Sequence, residues 1–275
     1  MANNYILVKT GADENIIKIL FDKSKNTELK NFDQKYVLVE TSWGQELAKI
    51  LDWSPQKAAY KTNAEIKFIK FFENDDSGLN SYLINASKKE KEAFTKFRDL
   101  IKKNNLYEAG MKPIKTHLTF DQKKMIFYYT APDRVDFRGL LRDLIGQYSY
   151  VIRLQQISPR SSAQIVGGAG ICGNQVCCNR FLFELPKVNK NVLAEQGLAE
   201  NNKEKFKGLC GRLRCCLIFE QKAYQEAAKN LPKIGSNVKI NNQEAVVLSK
   251  NILKEEVLVE FKEGNRGTYK VTDLN

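Results

Sequence analysis

The sequence predicts an α+β fold with four parts: a small β-rich N-terminal domain, a ferredoxin-like αββαβ layer, a cysteine-rich segment and a small C-terminal β-barrel. Three observations predict it. Short apolar runs separated by polar loops occupy both ends of the chain, apolar residues at helical spacing occupy its middle, and all six cysteines fall between residues 172 and 216. We expect the domains to span residues 1–80, 81–160, 161–231 and 232–275.

The N-terminal domain is predicted from apolar runs such as residues 5–8 and 36–41, which Lys- and Asn-rich loops separate. Residues 76–80 are the predicted boundary. Beyond it, the capping-box sequence from Ser87 to Glu90 predicts the start of a helix. The apolar residues of that helix share one face: Phe94, Phe97, Leu100 and Ile101.

The middle of the chain predicts the ferredoxin-like layer. Strands are expected at residues 113–120 and 125–130, joined by a tight turn at residues 121–123, and residues 151–157 return as a strand. The order helix, strand, strand, helix, strand is typical of a ferredoxin-like layer. The second helix is predicted from apolar residues at helical spacing: Phe137, Leu140, Leu141, Leu144, Ile145 and Tyr148.

The C-terminal part is predicted to be a short amphipathic helix, residues 220–231, followed by a small twisted β-barrel. Pro232 ends the helix, because proline cannot continue it. Alternating strands at residues 237–240, 245–248 and 257–261 then favour the barrel. Such modules bind proteins or RNA, and the fold alone does not choose between them.

The six cysteines form two copies of one pattern. Each copy has a Gly, an aliphatic residue, Cys-Gly, three variable residues, a pair of adjacent cysteines, and a Phe three residues after that pair. Cysteines used as small core residues would not fall into matched triplets, so the pattern indicates thiolate chemistry. The candidate ligands are Cys172, Cys177 and Cys178 in the first copy and Cys210, Cys215 and Cys216 in the second.

The cellular compartment decides between disulfides and metal. The chain begins without a basic region followed by an apolar stretch, and no run approaches the ~18 apolar residues of a membrane span. We therefore expect a cytoplasmic protein that is not integral to the membrane, in which thiols stay reduced. Zinc sites usually contain Cys-x-x-Cys, which is missing here, whereas Cys-x4-Cys occurs in plant-type iron–sulfur proteins. Spacing favours a metal or cluster over inert core thiols, and it leaves zinc and iron–sulfur open.

These motifs resemble those of the bacterial RicT (YaaT) family. The resemblance rests on both Cys-Gly-x-x-x-Cys-Cys segments, on residues 165–173 and 207–217 around them, and on Leu231-Pro-Lys-Ile-Gly. It covers residues 110–275 well and the N-terminal third loosely. It implies a non-catalytic subunit that joins two small helical partner proteins and binds [4Fe–4S] clusters through cysteines shared among subunits. It also implies modulation of RNA maturation by RNase Y, with effects on sporulation, competence and biofilm formation. All six cysteines match the family's motif positions.

The charge balance indicates a polyanionic partner or a weakly basic surface. Lys and Arg total 44 against 32 acidic residues, a formal net charge of +12, and RNA is the natural candidate. Phe side chains interleave with basic residues near the second motif, so this surface could hold phosphates and stack bases, or its charge could balance anionic thiolates. The candidate contacts are Lys203, Lys205, Lys207, Arg212 and Arg214.

Two other functions compete with the iron–sulfur subunit. A zinc-stabilised nucleic-acid-binding protein is the main alternative, and a thiol redox enzyme ranks last because adjacent cysteines form only a strained ring. The Gly-x-Gly-x-x-Gly match at residues 168–173 more simply shapes a thiolate loop than a dinucleotide site, since Pro159 and two serines precede it. His117 is the chain's single histidine and is expected on the surface of its strand, which argues against a hydrolase.

Overall fold

The computed structural model describes residues 4–11, 16–21, 35–52, 66–72, 76–182, 188–198, 204–241 and 243–274. Its elements combine helices with several sheets, which confirms the predicted α+β class. The chain groups into two compact units. The first unit contains residues 1–169 and 178–184, and the second unit contains residues 170–177 and 185–275. The division into four domains stays a prediction.

The first unit begins with an antiparallel N-terminal sheet, whose strands are β1 (Asn4–Thr10), β2 (Ile16–Phe21), β3 (Tyr36–Thr41), β4 (Gly44–Asp52) and β5 (Lys67–Phe72). Their order is β2, β1, β4, β3, β5. Alternate residues of each strand point to one face, so the aliphatic residues of these strands meet in one core. That core contains Ile6, Val8, Ile19, Val37, Val39, Ala48, Ile50 and Ile66.

Helix α1 (Ser77–Lys103) begins at Ser77, so the predicted start at Ser87 is wrong. Asp76 caps the helix instead, because its Oδ1 accepts a hydrogen bond from the N–H of Leu79 at 2.9 Å. The capping-box residues Ser87 and Glu90 therefore lie inside the helix. The side chain of Glu90 does not cap it and instead accepts a hydrogen bond from the N–H of Leu118.

The central sheet consists of β6 (Lys112–Leu118), β7 (Lys124–Thr130) and β8 (Val151–Gln156) in that order. Strands β6 and β7 are antiparallel, and α2 (Arg138–Ile145) provides the crossover to β8, which runs parallel to β7. This order of elements matches the predicted one. The ferredoxin-like layout stays a prediction, since the described sheet has three strands. Its core contains Phe97, Ile101, Met111, Leu118, Met125, Phe127, Tyr129, Leu140 and Leu144.

Helix α3 (Pro159–Val166) follows β8 and is capped by Ser158, whose Oγ accepts a hydrogen bond from the N–H of Ser161 at 3.2 Å. A short helix, α4 (Cys177–Arg180), then begins at the first adjacent cysteine pair. No helix in the described part of the chain is long and apolar enough to cross a membrane.

The described residues of the second unit include the short helices α5 (Asn191–Glu195), α6 (Cys215–Phe219) and α7 (Gln221–Ala227). A 3-10 turn at Ala228–Asn230 extends α7 and ends before Pro232, as the sequence predicts. An antiparallel sheet in the order β12, β11, β10, β9 follows. Its strands are β9 (Asn237–Ile240), β10 (Gln243–Asn251), β11 (Glu256–Phe261) and β12 (Arg266–Lys270). Closure of this sheet into a barrel stays a prediction.

Candidate metal centre

The two cysteine motifs fold into loops with the same backbone hydrogen bonds. We call residues 170–178 the first cysteine loop and residues 208–216 the second cysteine loop. In the first, the N–H of Gly170 donates to the carbonyl of Asn174 at 2.7 Å, and the N–H of Gly173 donates to the carbonyl of Gly170 at 3.0 Å. The second loop repeats both bonds at 2.9 Å, from Gly208 to Arg212 and from Gly211 to Gly208. The sequence repeat is therefore also a repeat of local backbone structure.

Glycine after the first cysteine of each loop is required by the backbone. Gly173 has φ of 79° and Gly211 has φ of 70°, in the left-handed region that side chains with a Cβ disfavour. This turn reverses the chain, and each loop then enters a helix at its adjacent cysteine pair, α4 in the first loop and α6 in the second. The glycines thus fix the path between the first cysteine and the pair.

The thiols of the two loops differ in exposure. Cys172 is exposed, Cys178 is buried, and Cys177, Cys210, Cys215 and Cys216 are half-buried. The aliphatic residues that precede the first cysteine of each loop are also exposed, Ile171 by 74% and Leu209 by 63%. The outer part of each loop therefore presents sulfur next to apolar surface.

The second cysteine loop is anchored through α6. Leu217 is buried against Val192 and Leu193 of α5, and the side-chain amide of Gln196 donates a hydrogen bond to the carbonyl of Leu217. Gln196 is itself buried. Sequence analysis missed this residue, because nothing in the local pattern shows that a glutamine after a short helix reaches another helix.

Charge near the second loop affects its last cysteine. Burial raises the pKa of the Cys216 thiol above its ordinary value, and the positive charge of Arg214 opposes that rise. Glu220 and Cys177 add to the rise, since negative charge disfavours a thiolate. A metal ion or cluster, which carries positively charged metal centres, would favour the thiolate in place of the bound proton.

The predicted basic contacts have different surroundings. Lys205 and Arg212 are exposed, as a surface for a polyanion requires. Lys207 forms an ion pair with Glu204, and the guanidinium of Arg214 lies 5.6 Å from the ring centroid of Phe206. Lys203 lies outside the described residues.

The donor chemistry of the loops fits a metal or cluster, because thiolate sulfur suits both zinc and iron–sulfur centres. Across the described ranges, however, no three side chains of His, Cys, Asp or Glu form a group that could hold a metal ion. The loops thus supply suitable donors without assembling a complete ligand set in this arrangement.

Comparisons with known proteins identify the family. The family model described as the PSP1 C-terminal conserved region matches residues 76–157, and the model described as the third domain of PSP1-like proteins matches residues 187–231. The Stage 0 sporulation protein YaaT of Bacillus subtilis (strain 168) is 35% identical over 226 residues, which cover 82% of this chain and 80% of that protein. The chain belongs to the YaaT family. No solved structure matches it. This identity and coverage confirm the resemblance to the YaaT family that the sequence predicts.

A polar cluster that sequence analysis missed lies partly in the PSP1-matching segment of this YaaT family member. His117 is not on the surface, so that expectation is wrong: its side chain is 13% exposed and lies between two glutamates. Its Nε2 lies 2.7 Å from Oε2 of Glu46, and its Nδ1 lies 3.1 Å from Oε1 of Glu90. We call these three residues the histidine cluster.

The histidine cluster could have been found in part from the sequence. On β4, Glu46 alternates with Ala48 and Ile50, which point into the core of the N-terminal sheet. An acidic residue at an inward position needs a buried partner, and His117 is that partner. The contact between them depends on the packing of two sheets, which no local pattern shows.

Proposed function

We propose that this protein is a non-catalytic regulatory subunit that binds iron–sulfur clusters through its two cysteine loops. The proposal follows the YaaT family membership and extends it to [4Fe–4S] clusters, to small helical partner subunits that share the ligation, and to RNA maturation by RNase Y. The observation that carries it is the repeated loop, in which the same hydrogen bonds and left-handed glycines present cysteines twice.

Exposure of the loops supports ligation shared with a partner. Cys172 reaches solvent, and exposed Ile171 and Leu209 stand beside the first cysteine of each loop. Apolar side chains around an exposed thiol can be buried when a second protein covers them, which excludes water from a bound cluster. Bound there, a [4Fe–4S] cluster would supply an oxygen-sensitive centre, while this chain would hold it and position the partners.

Contact with RNA is part of the same proposal. Exposed Lys205 lies just before the second loop and exposed Arg212 lies within it, and the formal net charge of +12 favours a polyanion. A zinc-stabilised nucleic-acid-binding protein remains the alternative function, because the same thiols and the same charges suit it. The metal that the protein carries distinguishes the two.

The test is the metal content of the full chain purified without oxygen, alone and with any co-purifying subunits. We expect a brown protein that contains iron and inorganic sulfide in matching amounts. The colour, the iron and the sulfide should all be lost in Cys178→Ser and in Cys216→Ser. Asn174→Ser is the matched control, because the loop uses the backbone carbonyl of Asn174 and loses no thiol. Zinc without iron would support the alternative, and full iron content in both cysteine variants would contradict the proposal.

A further inference from the structure

We infer that His117, held as an imidazolium between Glu46 and Glu90, is a proton-dependent latch that fastens the N-terminal sheet to α1 and the central sheet. The three side chains come from three elements: Glu46 from β4, Glu90 from α1 and His117 from β6. Both ring nitrogens face carboxylate oxygens. A neutral imidazole carries one N–H, so it can donate to one of them and must turn a lone pair toward the other.

Glu46 is the residue that most needs the positive charge of protonated His117. Its side chain is fully buried, and within the described residues its Oε1 has no hydrogen-bond partner. The contact of its other oxygen with His117 is therefore the compensation for burying the carboxylate. Loss of the imidazolium charge would remove the cation that contacts this buried carboxylate.

Glu90 holds the histidine from the side of α1. Its Oε1 accepts a hydrogen bond from the N–H of Leu118 at 2.9 Å and also faces Nδ1 of His117. Glu90 is thus tied to the backbone of β6 next to the histidine, and the imidazole is pre-oriented toward β4. The latch connects the N-terminal sheet to a site that α1 and β6 build between them.

The chain leaving β1 packs directly on the imidazole. A Cβ placed on Gly11 would lie 2.5 Å from Cε1 of His117, so only glycine permits this approach. Lys115 of β6 adds a long hydrogen bond of 3.4 Å from its Nζ to the carbonyl of Gly11. The end of β1 and the start of β4 therefore both approach the central sheet at His117.

The proton is held well into the alkaline range. Burial lowers the pKa of His117, but the hydrogen bonds and charges of Glu46 and Glu90 outweigh burial and raise it from 6.5 to about 9. A histidine whose folded pKa is raised stabilises the fold fully below about pH 6.5 and loses that contribution as the pH rises through about 9.

Other charged and titratable groups face the same region. Burial, followed by Glu46 and Glu90, raises the pKa of Tyr82, so this tyrosine stays neutral while His117 titrates. A cavity of about 310 Å³ lies beside the cluster. It is also lined by Tyr36, Lys9 and Lys49.

The fluorescence of Trp43 reports whether the N-terminal sheet is packed against the central sheet. This residue lies in the turn between β3 and β4, packs against Ile126 and Tyr128 of the central sheet, and has the guanidinium of Arg153 4.4 Å from its ring. The chain has two tryptophans, so a Trp53→Phe background leaves Trp43 as the single indole.

The experiment measures acrylamide quenching of Trp43 in the full-length Trp53→Phe protein from neutral pH to about pH 10, with far-ultraviolet circular dichroism on the same samples. We expect quenching to rise with a midpoint near pH 9 while the dichroism persists. His117→Gln, which cannot take up the proton, should show the high quenching at every pH. The ring signals of the single histidine, followed by NMR, should titrate at the same midpoint.

Three results would overturn the latch. Quenching could be independent of pH, the histidine could titrate near its ordinary value, or the dichroism could be lost together with the Trp43 signal. The last result would make His117 a part of the whole fold and not of the sheet's attachment. If His117→Gln fails to fold, the pH series on the Trp53→Phe protein still decides, since it needs no change at the histidine.

Discussion

The histidine cluster and the cysteine loops handle reactive side chains in opposite ways. In the histidine cluster, both nitrogens of a largely buried imidazole face carboxylates, and the three residues come from β4, α1 and β6. In each cysteine loop, the cysteines come from one short segment of the chain, and Cys172 is exposed beside exposed Ile171. The first arrangement pairs an imidazole with two carboxylates of the same chain, whereas the second leaves a thiol exposed to solvent.

This difference distinguishes polar side chains that stabilise the fold from polar side chains that could bind a ligand. A buried charge is tolerated only when its partner is fixed, so the histidine cluster serves the packing of the N-terminal sheet against α1 and β6. An exposed thiol contributes little to the fold, so a repeated loop that displays one is better explained by a ligand. Substitutions in the histidine cluster should therefore change the free energy of unfolding, whereas substitutions of the cysteines should change metal binding.

The largest loss of stability is expected from His117→Leu. It removes the cation from between two glutamates and leaves Glu46 as an uncompensated buried anion, which costs about 3–5 kcal/mol. Urea unfolding at neutral pH measures the change. The double variant Glu46→Leu/His117→Leu is the control, because it also removes the buried carboxylate and should recover part of the loss. A loss below about 1 kcal/mol in the single variant would contradict the structural role of the cluster.

A smaller and local effect is expected at the left-handed glycines. Gly173→Ala and Gly211→Ala should each cost roughly 1–2 kcal/mol, because alanine resists positive φ. Among the described residues, no atom lies within 4 Å of a Cβ added at either position, so the cost comes from the backbone alone and should be equal in the two loops. Urea unfolding measures the cost, and metal analysis shows whether the cysteines still align.

Gly208→Ala is the matched control for that comparison. Gly208 is not at positive φ, and the atoms nearest to an added Cβ are 3.8 Å away or farther, an ordinary contact. Alanine should therefore be tolerated there. If Gly208→Ala and Gly211→Ala lose the same free energy of unfolding and the same metal content, the left-handed turn is not what positions the thiols.

How much could be predicted from the sequence depended on how far apart the interacting residues lie. Each cysteine loop is encoded within eleven consecutive residues, so its repeat and its glycines were visible at once. The order of elements from α1 to β8 was also predictable, because each apolar face has its own local period. The start of α1 was not, since two local signals competed: Asp76 caps the helix, and the capping-box Glu90 bonds to β6 instead.

The histidine cluster shows the limit of local patterns. Glu46 and His117 are far apart in sequence, and their contact arises only when the N-terminal sheet packs on the central sheet. The inward position of Glu46 beside Ala48 signalled that a partner was needed, but the alternation of β6 alone placed His117 on the outside. A strand has two faces, and a second sheet can cover the one that its own pattern marks as exposed.

The smallest change in stability is expected from Cys172→Ser. This variant separates the two regions clearly, because it should change metal content without changing stability. Cys172 is exposed, so replacing its sulfur by oxygen should alter the free energy of unfolding by no more than about 0.5 kcal/mol. If the loops bind a metal or cluster, the same change should lower the iron or zinc content of anoxically purified protein, because a serine hydroxyl is a poorer ligand for soft metals. His117→Leu should behave in the reverse way, with lower stability and unchanged metal content per folded molecule. Metal retention in Cys172→Ser together with lost stability would mean that the exposed thiol serves the fold and not a ligand.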